Sequence, residues 1–327
     1  MVDFTVTLTN TEESGLSSEQ LDLLERSALV AANLWGQYID APKVTLDFEF
    51  NLGWTDTERA SGRAFEFMFL ETNANNQHIF NLNTTTKLNG EADFTGNNAD
   101  FWIALNPISL SQVYAIDSEP ETRTGEIPLG RTDITSILLH EIGHALGFDG
   151  MHINESIETV FTKENLTQFE SLLEQKADGI YFTGQAAQKL AGRPIELAIE
   201  PDNSHGSHLG NLPVQFSNQT PAPGFGSDLG AMVMHGLFMV FNVRYHVTAL
   251  DIAILEDLGV PIRKPSQSDD RLFGFESPDP GLELEYKTPN ADFLNGNDEI
   301  AAKEGNDVVQ GLSGQDTLKG EAGDDTL

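Results

Sequence analysis

The chain has 327 residues, with 51 acidic against 18 basic side chains and a net charge of −33. That balance argues against nucleic acid and anionic membrane surfaces as partners. Cysteine is absent, so disulfides, cysteine-rich zinc sites and a catalytic thiol are excluded. The opening MVDFTVTLTN has no basic stretch followed by a continuous apolar run, so no Sec-type leader is expected. No apolar run is long enough to span a bilayer, and no membrane insertion is expected.

Residues 17–40, SSEQLDLLERSALVAANLWGQYID, form an amphipathic pattern that Ser17 or Ser18 can cap, with Gln20 supporting the first turn. KVTLDFEFNL (43–52) alternates like a strand, and GRAFEFMFL (62–70) and ADFWIALNP (99–107) are further strand candidates. A helix is then expected over about 132–146. Arg131-Thr132-Asp133 offers the cap, Ile134, Ile137, Leu138, Ile142 and Ala145 make the apolar stripe, and Gly147 stops it in a left-handed turn. Residues 163–177 and 182–192 read as two more helices, inside a segment of about 153–204 that looks inserted. VTALDIAILEDLGVP (247–261) reads as a short helix, with a Thr248/Asp251 capping box and a Gly259/Pro261 stop.

The helix at 132–146 carries HEIGHALGFDGMH, residues 140–152. His140 and His144 lie one turn apart on one helical face. Glu141 follows the first histidine, so its carboxylate falls beside a metal held by the pair. This is the H-E-x-x-H arrangement of two zinc ligands and a general base. A catalytic zinc takes three protein ligands, and the longer form H-E-x-x-H-x-x-G-x-x-H places the third after a glycine turn. Gly147 occupies the glycine position, but Gly150 stands where the third histidine belongs. Asp149 and His152 flank that gap, and His205 and His208 lie in the Gly/Ser loop PDNSHGSHLGN.

From residue 292 the chain reads DFLNGNDEI, AAKEGNDVV, QGLSGQDTL, KGEAGDDTL. Gly296, Gly305, Gly314 and Gly323 hold the fifth place of each unit, and Asp298, Asp307, Asp316 and Asp325 the seventh. The pattern is similar to the RTX nonapeptide repeat, which forms a calcium-binding parallel β-roll. Glycine allows the turns, aspartate supplies hard oxygen ligands for Ca2+, and an aliphatic ninth residue packs inside. Phe293 and Ala302 depart from the leading glycine. The array stops in mid-course at Leu327 and is expected to continue.

HEIGHALG, GSHL, GAMVMHG and TALDIAILEDLG together resemble the leishmanolysin-like branch of metzincin zinc proteases. The resemblance spans most of residues 17–262, with its specificity in those short motifs. It implies His208 as the displaced third zinc ligand beside His140 and His144, with His205 as the alternative. It also implies Glu141 as general base and Met234 as a Met-turn floor under the histidines, with Met232 competing. The expected fold is α+β. A metzincin-like domain over 1–263 has a mixed twisted sheet, an active-site helix and a C-terminal helix. A linker follows over 264–290, then a partial parallel β-roll over 291–327. Strand 99–107 is expected to form the cleft rim. The expected activity is a secreted, extracellular bacterial Zn2+ metalloendopeptidase acting on proteins or peptides, with Ca2+ in the repeats. The RTX resemblance implies export by a type I secretion apparatus. The competing readings are a non-catalytic RTX surface or adhesive protein with a silent domain, and a site closed by His152 or Asp149.

Overall fold

The computed structural model describes residues 2–53, 60–91, 93, 95–96, 98–153, 155–177, 179–198, 207–210, 229, 232–235, 241–268, 271–273, 298–312 and 314–327. Among these the chain is mixed α+β. In order, it runs β1 (Val2–Thr9), α1 (Ser18–Gly36), β2 (Val44–Asn51), β3 (Ala60–Ala64), β4 (Phe67–Thr72), β5 (His78–Leu82), α2 (Asn83–Leu88) and β6 (Phe101–Leu105). Then come α3 (Pro107–Gln112), β7 (Tyr114–Ala115), β8 (Thr132–Asp133), α4 (Ile134–Leu146), α5 (Ile157–Val160), β9 (Asn165–Thr167), α6 (Gln168–Ser171) and β10 (Leu173–Lys176). After these lie β11 (Gly179–Phe182), α7 (Gln185–Ala191), β12 (Ile195–Glu196) and α8 (Ala249–Asp257). The last four strands are β13 (Arg271–Phe273), β14 (Glu299–Ala301), β15 (Val308–Gln310) and β16 (Thr317–Lys319). No helix among the described residues is long and apolar enough to cross a membrane.

The main sheet has the order β1-β2-β6-β3, with β1, β2 and β6 parallel and β3 antiparallel at the edge. Every second residue of β2 (Leu46, Phe48, Phe50) is fully buried, as one covered face requires. Phe48 stacks on Phe101 across the sheet at 4.8 Å. Helices α1 and α4 pack together. The capping box of Ser17 and Gln20 starts α1, and Ala28, Ala31 and Ala32 keep its buried face thin. Trp35 then reaches across, and its indole N–H donates to the Leu139 carbonyl at 2.9 Å inside the core.

Helix α4 begins at Asp133, whose carboxylate accepts from the Ser136 N–H at 3.0 Å. Its last carbonyls are claimed from outside the helix. Thr84 Oγ1 donates to the Ala145 carbonyl at 2.5 Å, and Thr85 Oγ1 to that of Leu146 at 3.1 Å. Gly147 ends the helix, though not in the expected left-handed turn. Its φ is 162°, an extended value. The missing side chain matters for space, because a Cβ there would lie 3.0 Å from Leu258 Cδ1.

Three other expectations are corrected. The strand expected as a cleft rim at 99–107 lies inside the sheet as β6, paired with β2 on one side and β3 on the other. On that side of the sheet the edge strand is β3. The single strand expected at 62–70 divides at Phe65–Glu66 into β3 and β4, which belong to different sheets. The helix expected over 163–177 is β9, the short α6 and β10. Pairing of β9 with β5 and of β10 with β11 satisfies the backbone there and outweighs local helix preference.

At the C-terminal end, β14 pairs in parallel with β16 and β15 with β13. Glu299 sits beside Thr317, and isolated bridges join Glu304 to Ala322 and Val308 to Thr326. Each of these partners is two nonapeptides further on, so the chain rises one layer per pair of repeats. Gly305, Gly314 and Gly323 have φ of 136°, 125° and 149°, values that L side chains rarely adopt.

Gly62 sets how close β3 comes to α4. A Cβ there would run into the backbone carbonyl of Glu141, well inside van der Waals contact. Gly62→Ala should therefore destabilise the protein by about 1–3 kcal/mol, the usual cost of forced overpacking. Gly179→Ala in β11, where the nearest atom would be 3.6 Å away, should stay within about 0.5 kcal/mol of the parent. Urea unfolding of both variants checks the contrast.

Candidate metal centre

His140 and His144 project from α4 one turn apart. His208 arrives from a distant segment that the sheet network fixes. The Ala198 N–H donates to the His208 carbonyl at 2.9 Å, and the Leu209 N–H to the Met234 carbonyl at 2.9 Å. Leu209 bridges both Leu197 and His235. The three Nε2 atoms form a nearly equilateral triangle with sides of 3.1, 3.2 and 3.2 Å. These residues are the histidine/carboxylate group among the described residues that converges closely enough to hold one metal ion.

The proton positions decide what the triangle can do. His140 Nδ1 lies 2.6 Å from the Val233 carbonyl, and His144 Nδ1 lies 2.6 Å from that of Phe148. A carbonyl only accepts, so each Nδ1 carries the hydrogen. Burial, reinforced by the neighbouring rings, holds His140 well below the usual imidazole range. Burial and the proximity of His208 push His144 down to about 3. Both rings are therefore neutral, and both Nε2 atoms present lone pairs to the same point. Lone pairs facing each other at 3.2 Å repel unless a cation lies between them. A tetrahedral ion with metal–nitrogen bonds of about 2.0–2.1 Å holds its ligands about 3.3 Å apart, so the triangle is of the right size. The donor set fits a divalent ion of the zinc type, with His140, His144 and His208 as the residues that would hold it.

Each carbonyl is fixed in turn. Val233 and Met234 donate their N–H groups to Asp251 at 3.3 and 3.4 Å. Asp251 is fully buried in α8 and also accepts from the Thr248 N–H and hydroxyl at 2.9 and 2.7 Å. Burial raises its carboxyl to about 6, so it is ionised at neutral pH. The Phe148 side is held by Arg63 on β3, which pairs with Asp149 at 3.1 Å and donates to the Gly150 carbonyl at 3.1 Å. The carbonyl that orients His140 is thus held through its own peptide group by the buried acid Asp251, whereas the one that orients His144 sits beside the Arg63–Asp149 pair. Carbonyl acceptors of this kind fix tautomer and ring plane.

Met234 is fully buried and packs under α4. A side chain at Gly143 would collide with its sulfur and would lie 3.3 Å from Trp35 Cζ2. Met232 is also buried, but Met234 is the one seated at Gly143. Glu141 is nearly buried on α4, roughly 60° round the helix from His144. The two other candidate ligands are engaged elsewhere. Asp149 pairs with Arg63, and the His152 ring contacts Glu155 Oε1 and the Asn165 carbonyl, each at 2.9 Å. His205 lies outside the described residues.

Sequence reasoning missed Arg63, the role of Asp251 beyond its cap, and the carbonyls of Phe148 and Val233. It also missed His235, buried against Tyr245 with ring centroids 5.1 Å apart and pushed down to about 3 by burial. The glycine inside H-E-I-G-H was the available signal. Glycine in mid-helix costs about 1 kcal/mol against alanine, so it points to a close neighbour.

In the repeats, the aspartates pair across layers. The Asp298 N–H donates to Asp316 Oδ1 and the Asp307 N–H to Asp325 Oδ1, both at 3.0 Å. Side chains at Gly311 or Gly320 would collide with the carboxylates of Asp316 and Asp325, which fold over them. Carboxylates and turn carbonyls in successive layers are oxygen ligands of the kind Ca2+ requires.

His208→Ala should lower zinc affinity at least a hundredfold, because two ligands remain. Asp251→Asn should lower it about tenfold or more through loss of carbonyl positioning. Competition with a chromophoric chelator measures both.

Compared with known proteins, residues 294–327 match the RTX calcium-binding nonapeptide repeat in four copies. No curated protein and no solved structure matches the chain. The C-terminal segment is thus an RTX calcium-binding repeat array.

Proposed function

We propose that the chain is a zinc-dependent metalloendopeptidase carrying a calcium-binding repeat array. The observation that carries this reading is the convergence of the Nε2 atoms of His140, His144 and His208, with Glu141 next to His140 on α4. His140, His144 and His208 would hold the zinc, which when bound would supply Lewis acidity to a water and to a peptide carbonyl.

The chain's own groups divide the remaining work. Glu141 takes the water proton during attack on the peptide carbonyl and returns it to the departing amine. The Val233 and Phe148 carbonyls keep the histidine protons on Nδ1. Met234 gives the histidines an apolar floor. The outer side of β3 has no strand partner among the described residues, and an extended peptide can add to it by backbone hydrogen bonding. These features support the metzincin resemblance, with β3 in the rim role expected of 99–107. The repeats support an extracellular, bacterial setting, and type I export is proposed with it.

Wild-type protein should cleave denatured casein and lose that activity with a zinc chelator. Glu141→Ala should retain one zinc per chain and lose at least a thousandfold in kcat/KM. A zinc-loaded wild-type protein with no hydrolysis across varied peptides would favour a non-catalytic RTX surface protein. Hydrolysis by Glu141→Ala at the parental rate would remove the assigned base.

A further inference from the structure

The repeat match begins at residue 294, but the layered array draws on chain well before it. Strand β15 takes β13 as a parallel neighbour, with Arg271 beside Val308, Leu272 beside Val309 and Phe273 beside Gln310. Counting back two nonapeptides from Val308–Gln310 leads to residues 290–292, yet the strand paired there is 271–273. The local sequence suits the substitution. Ser268-Asp269-Asp270-Arg271-Leu272 reads like Gly323-Asp324-Asp325-Thr326-Leu327, and the register sets Leu272 against Val309.

The turns agree with the strands. A Cβ on Gly323 would collide with the Gly305 carbonyl, and one on Gly305 would lie 2.6 Å from the Ser268 carbonyl. The Ser268 turn therefore stacks on the Gly305 turn as the Gly305 turn stacks on that of Gly323. Leu272 is buried with Ala302 and Val309 in the small core of the array, where Ile300 and Leu318 join them.

The same segment is fastened to the body. The Asp40 N–H donates to the Pro261 carbonyl and the Arg263 N–H to the Tyr38 carbonyl, both at 2.8 Å. Arg263 also grips the Gln37 and Ile39 carbonyls at 3.2 and 2.9 Å. Lys303 donates to the Pro265 carbonyl at 2.8 Å. Phe273, next to Leu272 and pointing the other way, packs against the main core.

We propose that the Ser268 turn position and β13 (Arg271–Phe273) supply a layer of the calcium roll lent by the body, and that calcium loading of the repeats stabilises the body through it. The coupling is reciprocal. Calcium that orders the turns at Asp307 and Asp325 seats β13, and a seated β13 preorganises the first calcium-bearing layer. It stands independently of the protease reading.

Trp35, Trp54 and Trp102 are the three tryptophans, and all precede the repeats. Thermal unfolding followed by tryptophan fluorescence therefore reports the body, with or without Ca2+. In the full wild-type chain, saturating Ca2+ should raise that midpoint by several degrees. Leu272→Asp should abolish the rise while leaving the calcium-free midpoint near wild type. Phe273→Ala, milder, should at least halve it, with calcium still bound as measured by chelator competition. A wild-type midpoint indifferent to Ca2+ would overturn the proposal. So would a full calcium response in both variants, which would trace the effect to screening of the acidic surface.

Discussion

Two backbone carbonyls, Val233 and Phe148, decide the chemistry of this protein. By accepting hydrogens from His140 and His144 they force both Nε2 lone pairs inward. Without those bonds each ring could take the other tautomer or turn away, and the cluster would be three buried imidazoles with no common direction. Much of the surrounding structure keeps these two peptide groups in place. Asp251 holds one from α8, and Arg63, from the edge of the sheet, pins the residues Asp149 and Gly150 that follow the other. The fold brings these supports together from four separate parts of the chain, which is why α4 alone does not make a site.

The glycines explain how the parts come so close. Gly62 lets β3 lie on the backbone of Glu141, and Gly143 lets Met234 lie under the histidines. Neither position can accept a methyl group without moving main chain or a buried side chain. Small residues on α1 serve a similar end, bringing Trp35 near enough to hydrogen-bond a carbonyl in the middle of α4. Close approach at three sides of one helix leaves His140, Glu141 and His144 on a scaffold with little freedom to shift.

The local parts of this arrangement were legible in the sequence. The i, i+4 histidines, the Asp133 cap, the capping boxes at Ser17 and Thr248, and the nine-residue period each follow from short-range geometry. The position of His208 did not follow from spacing. It rests on Leu209 bridging two separate segments, and only the short GSHL resemblance pointed to it. The 163–177 segment was misread because LTQFESLLEQKA is helical by local preference, while sheet partners at β5 and β11 determine what forms. Arg63 and Asp251 were invisible as supports because their targets are backbone carbonyls and amides, which leave no mark in side-chain patterns.

The wide separation of His144 and His208, 64 residues, bears on how the protein matures. In an unfolded chain, closing a loop of that length costs about 2 kcal/mol more than closing one of five or six residues. A compact motif could capture its ion early, as a local hairpin. Here the third imidazole comes from 64 residues beyond His144, so it joins the other two only through long-range folding. An ion held by these three histidines would be recruited late, and its binding energy would act on the assembled fold. A chain that travelled in an unfolded state would pass through that stage with the centre unformed, and would complete it at its destination.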